Sequence, residues 1–228
     1  MDFWSIIYDL GKGFSLTLEL FALTLVFAIP LGLLFAFCAM SKFKPLSYFM
    51  RGIIWVIRGT PLLLQCIIVT FIPSILFDIP NKDLVSLLHL NRSADLQFLF
   101  VLIAFSINYA CYFAVIFEGG IKSIPKGQYE AGKVLGLSKR QIFWRVILMQ
   151  VVRRVNAPMS NEIITLVKDT SLARTISVYE IIWKGEAFIK SDGLLWPLLY
   201  TGLFYLLFNG LLTVVFSKLE KKLDYFKS

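Results

Sequence analysis

The chain has 228 residues, is 57% hydrophobic and carries a formal charge of +8, with a mean hydropathy of +0.73. Soluble domains are about 45–50% apolar, and here the excess is gathered into long runs, which excludes an ordinary soluble domain and argues against nucleic acid as the reason for the charge. A single histidine, His89, leaves no material for a His-based metal centre or catalytic triad, and Cys38, Cys66 and Cys111 sit inside apolar segments without metal or redox spacing, as small core residues do.

The first residues, MDFWSIIYDLGKG, open with an acid and lack a basic n-region, so they do not read as a cleaved signal peptide. A helix crossing a bilayer needs about 20 apolar residues. Five segments meet or approach that length, at about 16–40, 52–77, 98–117, 142–167 and 194–216. The first is broken by Glu19 and Pro30, and the second contains Arg58 and Pro61. The third and fifth are free of charge. The fourth is interrupted by Arg145, Arg153, Arg154, Asn156, Asn161 and Glu162. It is expected to face protein or a water-filled cavity, because polar groups facing lipid are costly. The five tryptophans mostly fall near span ends, as an interfacial belt does.

The expected fold is therefore all-α: a polytopic membrane protein of five transmembrane helices, forming one domain over residues 1–228. With the amino terminus outside, the inner segments hold 13 of the 23 basic residues, among them Lys42, Lys44, Lys139, Arg140 and Lys218, against seven outside. The positive-inside bias thus favours an external amino terminus and a cytoplasmic carboxyl terminus. No internal repeat is visible, so a second copy or a similar partner is expected to complete any transport path.

The stretch between spans three and four, EGGIKSIPKGQYEAGKVLGLSKRQIFWR, spells a short helix over about 125–136, a glycine turn and another helix. Ser123 is a possible cap and Pro125 suits a first helical turn. Gly136 suits the left-handed position after a helix. Ser138 with Gln141 makes a capping box. By itself this pattern fits a headgroup-lying amphipathic helix as well as a partner-docking helix.

Glu130-Ala131-Gly132 followed by Gly136 resembles the EAA loop of binding-protein-dependent ABC importer permeases, in which a coupling helix sits in a groove of the cytoplasmic ATPase. Three further segments are similar to the polar amino-acid branch (histidine, glutamine and arginine permease-like): Arg58-Gly59-Thr60-Pro61-Leu62-Leu63-Leu64-Gln65, Lys126-Gly127-Gln128-Tyr129-Glu130-Ala131, and the run from Asn161 through Lys168-Asp169-Thr170-Ser171-Leu172. The resemblance covers about residues 13–220. The chain departs from it at Gly132, where the pattern has a second alanine, and at Met149, where it has proline. Val115 stands for a glutamate and Glu118 for an arginine.

The resemblance implies coupling to the ATPase through Glu130, Ala131, Gly132 and Gly136. Among polar groups in or beside apolar spans, Arg58, Gln65, Asn108, Glu162, Asp169 and Ser171 are the substrate-pathway candidates. A carboxylate of Glu162 or Asp169 could hold a ligand ammonium, while Arg58, Gln65 or Asn108 could donate to its carboxylate. Structural readings stand beside these. Gln65 and Asn108 could be interhelical hydrogen bonds. Glu162 could pair with Arg153, Arg154 or Arg58, and Asp169 with Ser171 could cap a helix over 170–180. Lys168 and Arg174 could meet a docked solute-binding protein or form local ion pairs.

The expectation is a permease subunit of an ATP-driven amino-acid importer in the bacterial cell membrane, working by alternating access. No P-loop pattern is present, so ATP and Mg are expected on partner ATP-binding subunits, with no cofactor or metal on this chain and no catalytic residues. A second permease copy, an extracytoplasmic solute-binding protein and an amino-acid substrate complete the expected partners. The alternatives are an ion-gradient-driven carrier using Glu162 and Asp169, a permease for another small polar solute, and an intramembrane enzyme. For the last, no nucleophile–base pair or metal cluster is visible in the spans.

Overall fold

The computed structural model describes residues 2–223, and these are helical almost throughout. In chain order the helices are α1 (Phe3–Ala39), α2 (Lys44–Arg58), α3 (Leu62–Leu76), α4 (Asn81–Leu87), α5 (Ser93–Lys122), α6 (Lys126–Val134), α7 (Lys139–Ile142), α8 (Leu148–Asp169), α9 (Ile181–Asp192) and α10 (Trp196–Leu223). A π-helical turn, Phe143–Ile147, joins α7 to α8, and a 3₁₀ segment, Thr170–Ile176, follows α8.

Three of these helices, α1, α5 and α10, are long and apolar enough to cross a membrane, and the bent pair α2–α3 makes a fourth. The expected fourth segment is a helix, but α8 is too polar to join that group by composition. Helix α1 starts at Phe3, well before the expected boundary near residue 16, because Asp9 and Lys12 interrupt the apolar run without interrupting the backbone ladder. They pair with each other one turn apart.

Helix α5 is the centre of the bundle. Its most apolar stretch is 67% buried, against 6% for α10, which lies on the outside. Close approach is achieved with small residues, since lipid tails supply no hydrophobic drive between helices. Ala28, Gly32 and Ala36 of α1 repeat every four residues and are all buried, Gly32 against Ala110, Phe113 and Ala114 of α5. A Cβ on Gly32 would stand 2.7 Å from Phe113 Cβ and 2.9 Å from the Ala110 carbonyl oxygen. Gly120 does the same for α5 against Val155 of α8, and Gly185 for α9 against Leu198 and Thr201 of α10.

At the far end from α6, Glu180 begins α9. Its carboxylate accepts the Ile182 and Trp183 amides, both at 2.8 Å, and the Tyr205 hydroxyl at 3.3 Å. These three donors satisfy a side chain with 0% exposure. Thr17 of α1 accepts the next amide, Ile181, at 3.4 Å, so α1, α9 and α10 are tied at one point.

Candidate functional site

The site begins at a break in the chain. Arg58-Gly59-Thr60-Pro61 ends α2 and starts α3, and the two axes turn by 108°. Pro61 has no amide hydrogen, so the last carbonyls of α2 lose an intrahelical donor. Gln65 replaces it. Its Nε2 donates to the Ile57 carbonyl at 2.7 Å, to the Thr60 carbonyl at 3.1 Å and to Thr60 Oγ1 at 2.8 Å. Its Oε1 accepts Asn108 Nδ2 at 3.0 Å. The break is thereby pinned to the middle of α5.

Beside it opens a cavity of about 340 Å³, within the size range of small-molecule sites. One wall is the break together with Asn108, Tyr109 and Tyr112 of α5. The facing wall is α8, whose Glu162, Thr165 and Asp169 are three, four and seven residues apart and so share a helix face. Tyr109 donates to Asp169 Oδ2 at 2.6 Å and joins the two walls. The Arg58 guanidinium lies 4.9 Å from the centre of the Tyr112 ring, a cation–π distance that places a positive charge at the rim. The arrangement offers two carboxylates on one side and a cation with an amide on the other. That suits a small zwitterion.

Of the six pathway residues expected from sequence, Asn108, Glu162 and Asp169 line the cavity, and Arg58 reaches it over Tyr112. Gln65 stands behind the wall with its amide nitrogen committed to α2 and Thr60. Ser171 is apart, its hydroxyl donating to the Lys168 carbonyl. Asp169 bonds Tyr109 and makes no side-chain cap for the 3₁₀ segment that follows. Arg174 pairs with Glu186. Sequence reasoning passed over Tyr109 and Tyr112. The signal was present in the four-residue spacing of Asn108 and Tyr112, which puts both on one face of α5.

A second surface lies at the α6 end. Ser123 closes α5, and Pro125 occupies the N-cap position of α6, so the expected cap at Ser123 serves the preceding helix instead. Gly136 is left-handed at φ +70°. Its amide bonds the Lys133 carbonyl at 2.9 Å, and the Leu137 amide bonds Gly132 at 3.0 Å. This is a Schellman ending. Ser138 and Gln141 form the capping box, at 2.8 and 3.3 Å. Gly132 is buried against Ile142, whose Cγ1 would be 2.7 Å from an added Cβ. Glu130, Ala131 and Gly136 are exposed, with the apolar Val134 at 87% and Leu135 at 76% beside them. Gln150 bonds Gln128 at 3.0 Å and Arg154 bonds the Ser123 carbonyl at 2.9 Å, fixing this hairpin to α8.

Behind the hairpin, Glu118 accepts Arg51 at 2.5 Å and Lys122 at 2.6 Å. Arg51 and Ser47 also bond the Ala39 carbonyl, so the α1–α2 corner is tied to the end of α5. Glu118 is thus the shared acceptor of two cations, a role that suits an acid at a position where the resemblance has arginine.

Residues 28–225 match the family model described as binding-protein-dependent transport system inner membrane component. The chain is 35% identical over 225 residues to the L-cystine transport system permease protein TcyB of Bacillus subtilis, covering 98% of this chain and 88% of that protein. It is 31% identical over 215 residues to the arginine ABC transporter permease protein ArtM of Escherichia coli K12, covering 94% of each. Among solved structures, an amino acid ABC transporter crystallised with histidines superposes with a TM-score of 0.78 at 24% identity, over 97% of this chain and 99% of that one. The last is a likeness of fold.

Proposed function

The chain belongs to the binding-protein-dependent transport system inner membrane components, the permease subunits of ABC importers, and from that membership we propose that it carries a polar amino acid inward by alternating access. The observation that carries this reading is the cavity at the helix break, with Glu162 and Asp169 facing Asn108 and the Arg58–Tyr112 pair. An amino acid presents an ammonium and a carboxylate, and the two walls offer a partner to each. Gln65 holds the donor wall in place, and Ser171 stands at the end of the acidic helix.

In this reading α8 also crosses, fourth of five in chain order, its polar face turned to the cavity and to α5, and the amino terminus lies outside with the carboxyl terminus in the cytoplasm. The short helix and turn over about 125–136, through Glu130, Ala131 and Gly136, dock on a cytoplasmic ATP-binding subunit. Gly132 keeps the hairpin closed against Ile142. ATP and Mg reside on that subunit, a second permease copy or a similar chain completes the path, and an external solute-binding protein delivers the amino acid. The relatives named for cystine and arginine support the amino-acid class.

The test is uptake into proteoliposomes holding the assembled transporter, with radiolabelled amino acids supplied through the binding protein. Uptake requires ATP in the reading given. Its KM rises in Glu162→Gln and Asp169→Asn, while Glu130→Lys abolishes ATPase association with insertion intact. Uptake that persists without any ATPase and follows an ion gradient would identify a secondary carrier instead.

A further inference from the structure

Between Glu130 and Glu162 the chain holds six cations and no carboxylate: Lys133, Lys139, Arg140, Arg145, Arg153 and Arg154. The π-turn decides how part of this charge is displayed. Ile142 and Ile147 are buried, 3% and 1% exposed, against Ile124 and the hairpin. They are five residues apart, the hydrogen-bond spacing of a π-turn, whose wider turn brings both inward. The intervening Phe143, Trp144 and Arg145 are therefore all outward, together with Lys139 and Arg140 one turn earlier. An α-helix of the usual period would return one of them to the core.

Phe143 and Trp144 are 43% and 58% exposed and stack edge to face with ring centres 5.3 Å apart. The opposite side of the segment is already engaged, since Gln150 holds Gln128 and Arg154 holds Ser123. The outward face combines a paired aromatic wedge with three cations and lies at the foot of α8. Tryptophan favours the headgroup level of a bilayer, and Lys and Arg extend from there to anionic groups. We infer that the Lys139–Arg145 face is a docking surface for anionic phospholipid headgroups of the cytoplasmic leaflet. Trp144 would be seated at the headgroup level, with Lys139, Arg140 and Arg145 on the phosphates. The proposal goes beyond the transport reading and shares with it only the orientation that puts this end in the cytoplasm.

The probe is brominated phosphatidylglycerol in phosphatidylcholine nanodiscs holding the full chain. Trp144 quenching is read as the difference between wild type and Trp144→Phe. Brominated phosphatidylglycerol should quench Trp144 at a lower mole fraction than brominated phosphatidylcholine does. That preference should weaken, on the order of ten- to a hundredfold, when Lys139, Arg140 and Arg145 are all changed to Gln. The triple change Lys218→Gln, Lys221→Gln and Lys222→Gln on α10 removes the same charge and should preserve it. Equal quenching by the two lipids overturns the proposal. So does equal loss in both triple variants, which would mean bulk charge alone. A third overturning result is no lipid preference but loss of ATPase association in the first triple variant, which would make the face a protein-docking surface.

Discussion

Replacing Gly32 with alanine puts a methyl group where α1 and α5 already touch. The new Cβ would stand 2.7 Å from Phe113 Cβ, 2.9 Å from the Ala110 oxygen and 3.3 Å from the Ala114 nitrogen. Ordinary carbon contacts are about 3.5–4.0 Å, so the helices must separate by roughly 1 Å at the crossing. Two of the three obstructing atoms are backbone and cannot rotate away. Overpacking of this kind costs about 1–3 kcal/mol. Alanine's better helix propensity returns up to about 1 kcal/mol. The net loss is then on the order of 1–2 kcal/mol, a fall in melting temperature of several degrees. The assay is thermal unfolding of the purified chain in one detergent at one scan rate. Gly119→Ala, on α5 and with nothing within 4 Å of its Cβ, serves as the control and should match or exceed wild type. A Gly32→Ala protein as stable as the Gly119→Ala control would refute the close crossing.

Gly136→Val forces a β-branched residue to φ +70° and should cost about 1–2 kcal/mol or more at the hairpin turn; the check is loss of ATPase co-purification with normal membrane insertion. Gln65→Leu removes the side-chain donor from the Thr60 carbonyl and leaves the Ile57 carbonyl only its longer bonds from Thr60, a penalty of about 1–3 kcal/mol. It should lower thermal stability and raise the transport KM, and an unchanged KM would separate the break from the site. Glu118→Arg sets three cations together beside Arg51 and Lys122 and should slow transport, while adding Arg51→Glu restores one opposite-charge pair. Failure of the double change to recover any transport would mean that the pair does not hold the α1–α2 corner.

Local signals were legible where backbone geometry demands a residue type. Gly136 and the Ser138–Gln141 box stood out because few residues serve a left-handed turn or a reciprocal cap. The position of the break at Gly59–Pro61 was legible for the same reason, yet its 108° turn was not. That angle depends on Gln65 reaching back to Ile57 and forward to Asn108, and sequence does not say which carbonyls a glutamine will find. Glu162, Asp169 and Asn108 stood out as polar groups beside apolar runs. Tyr109 and Tyr112 did not, because an aromatic in a membrane helix reads equally well as core or belt. Helix α1 runs beyond the apolar segment expected at about 16–40, because an apolar window measures what lipid can cover, while the hydrogen-bond ladder continues past it to Phe3.

The Tyr109–Asp169 hydrogen bond has a mechanical meaning. The acidic jaw of the cavity rides on α8, which is bolted at its foot to the α6 hairpin. The donor jaw rides on α5 and the break that Gln65 pins to it. A displacement delivered at the hairpin would be carried along α8, past the ladder break at Pro158, to the gap between the jaws. Tyr109 and Asp169 form the clasp across that gap. Under the proposed transport reading, parting them would open the cavity, and a ligand ammonium that competes for the Asp169 carboxylate would loosen the clasp from within.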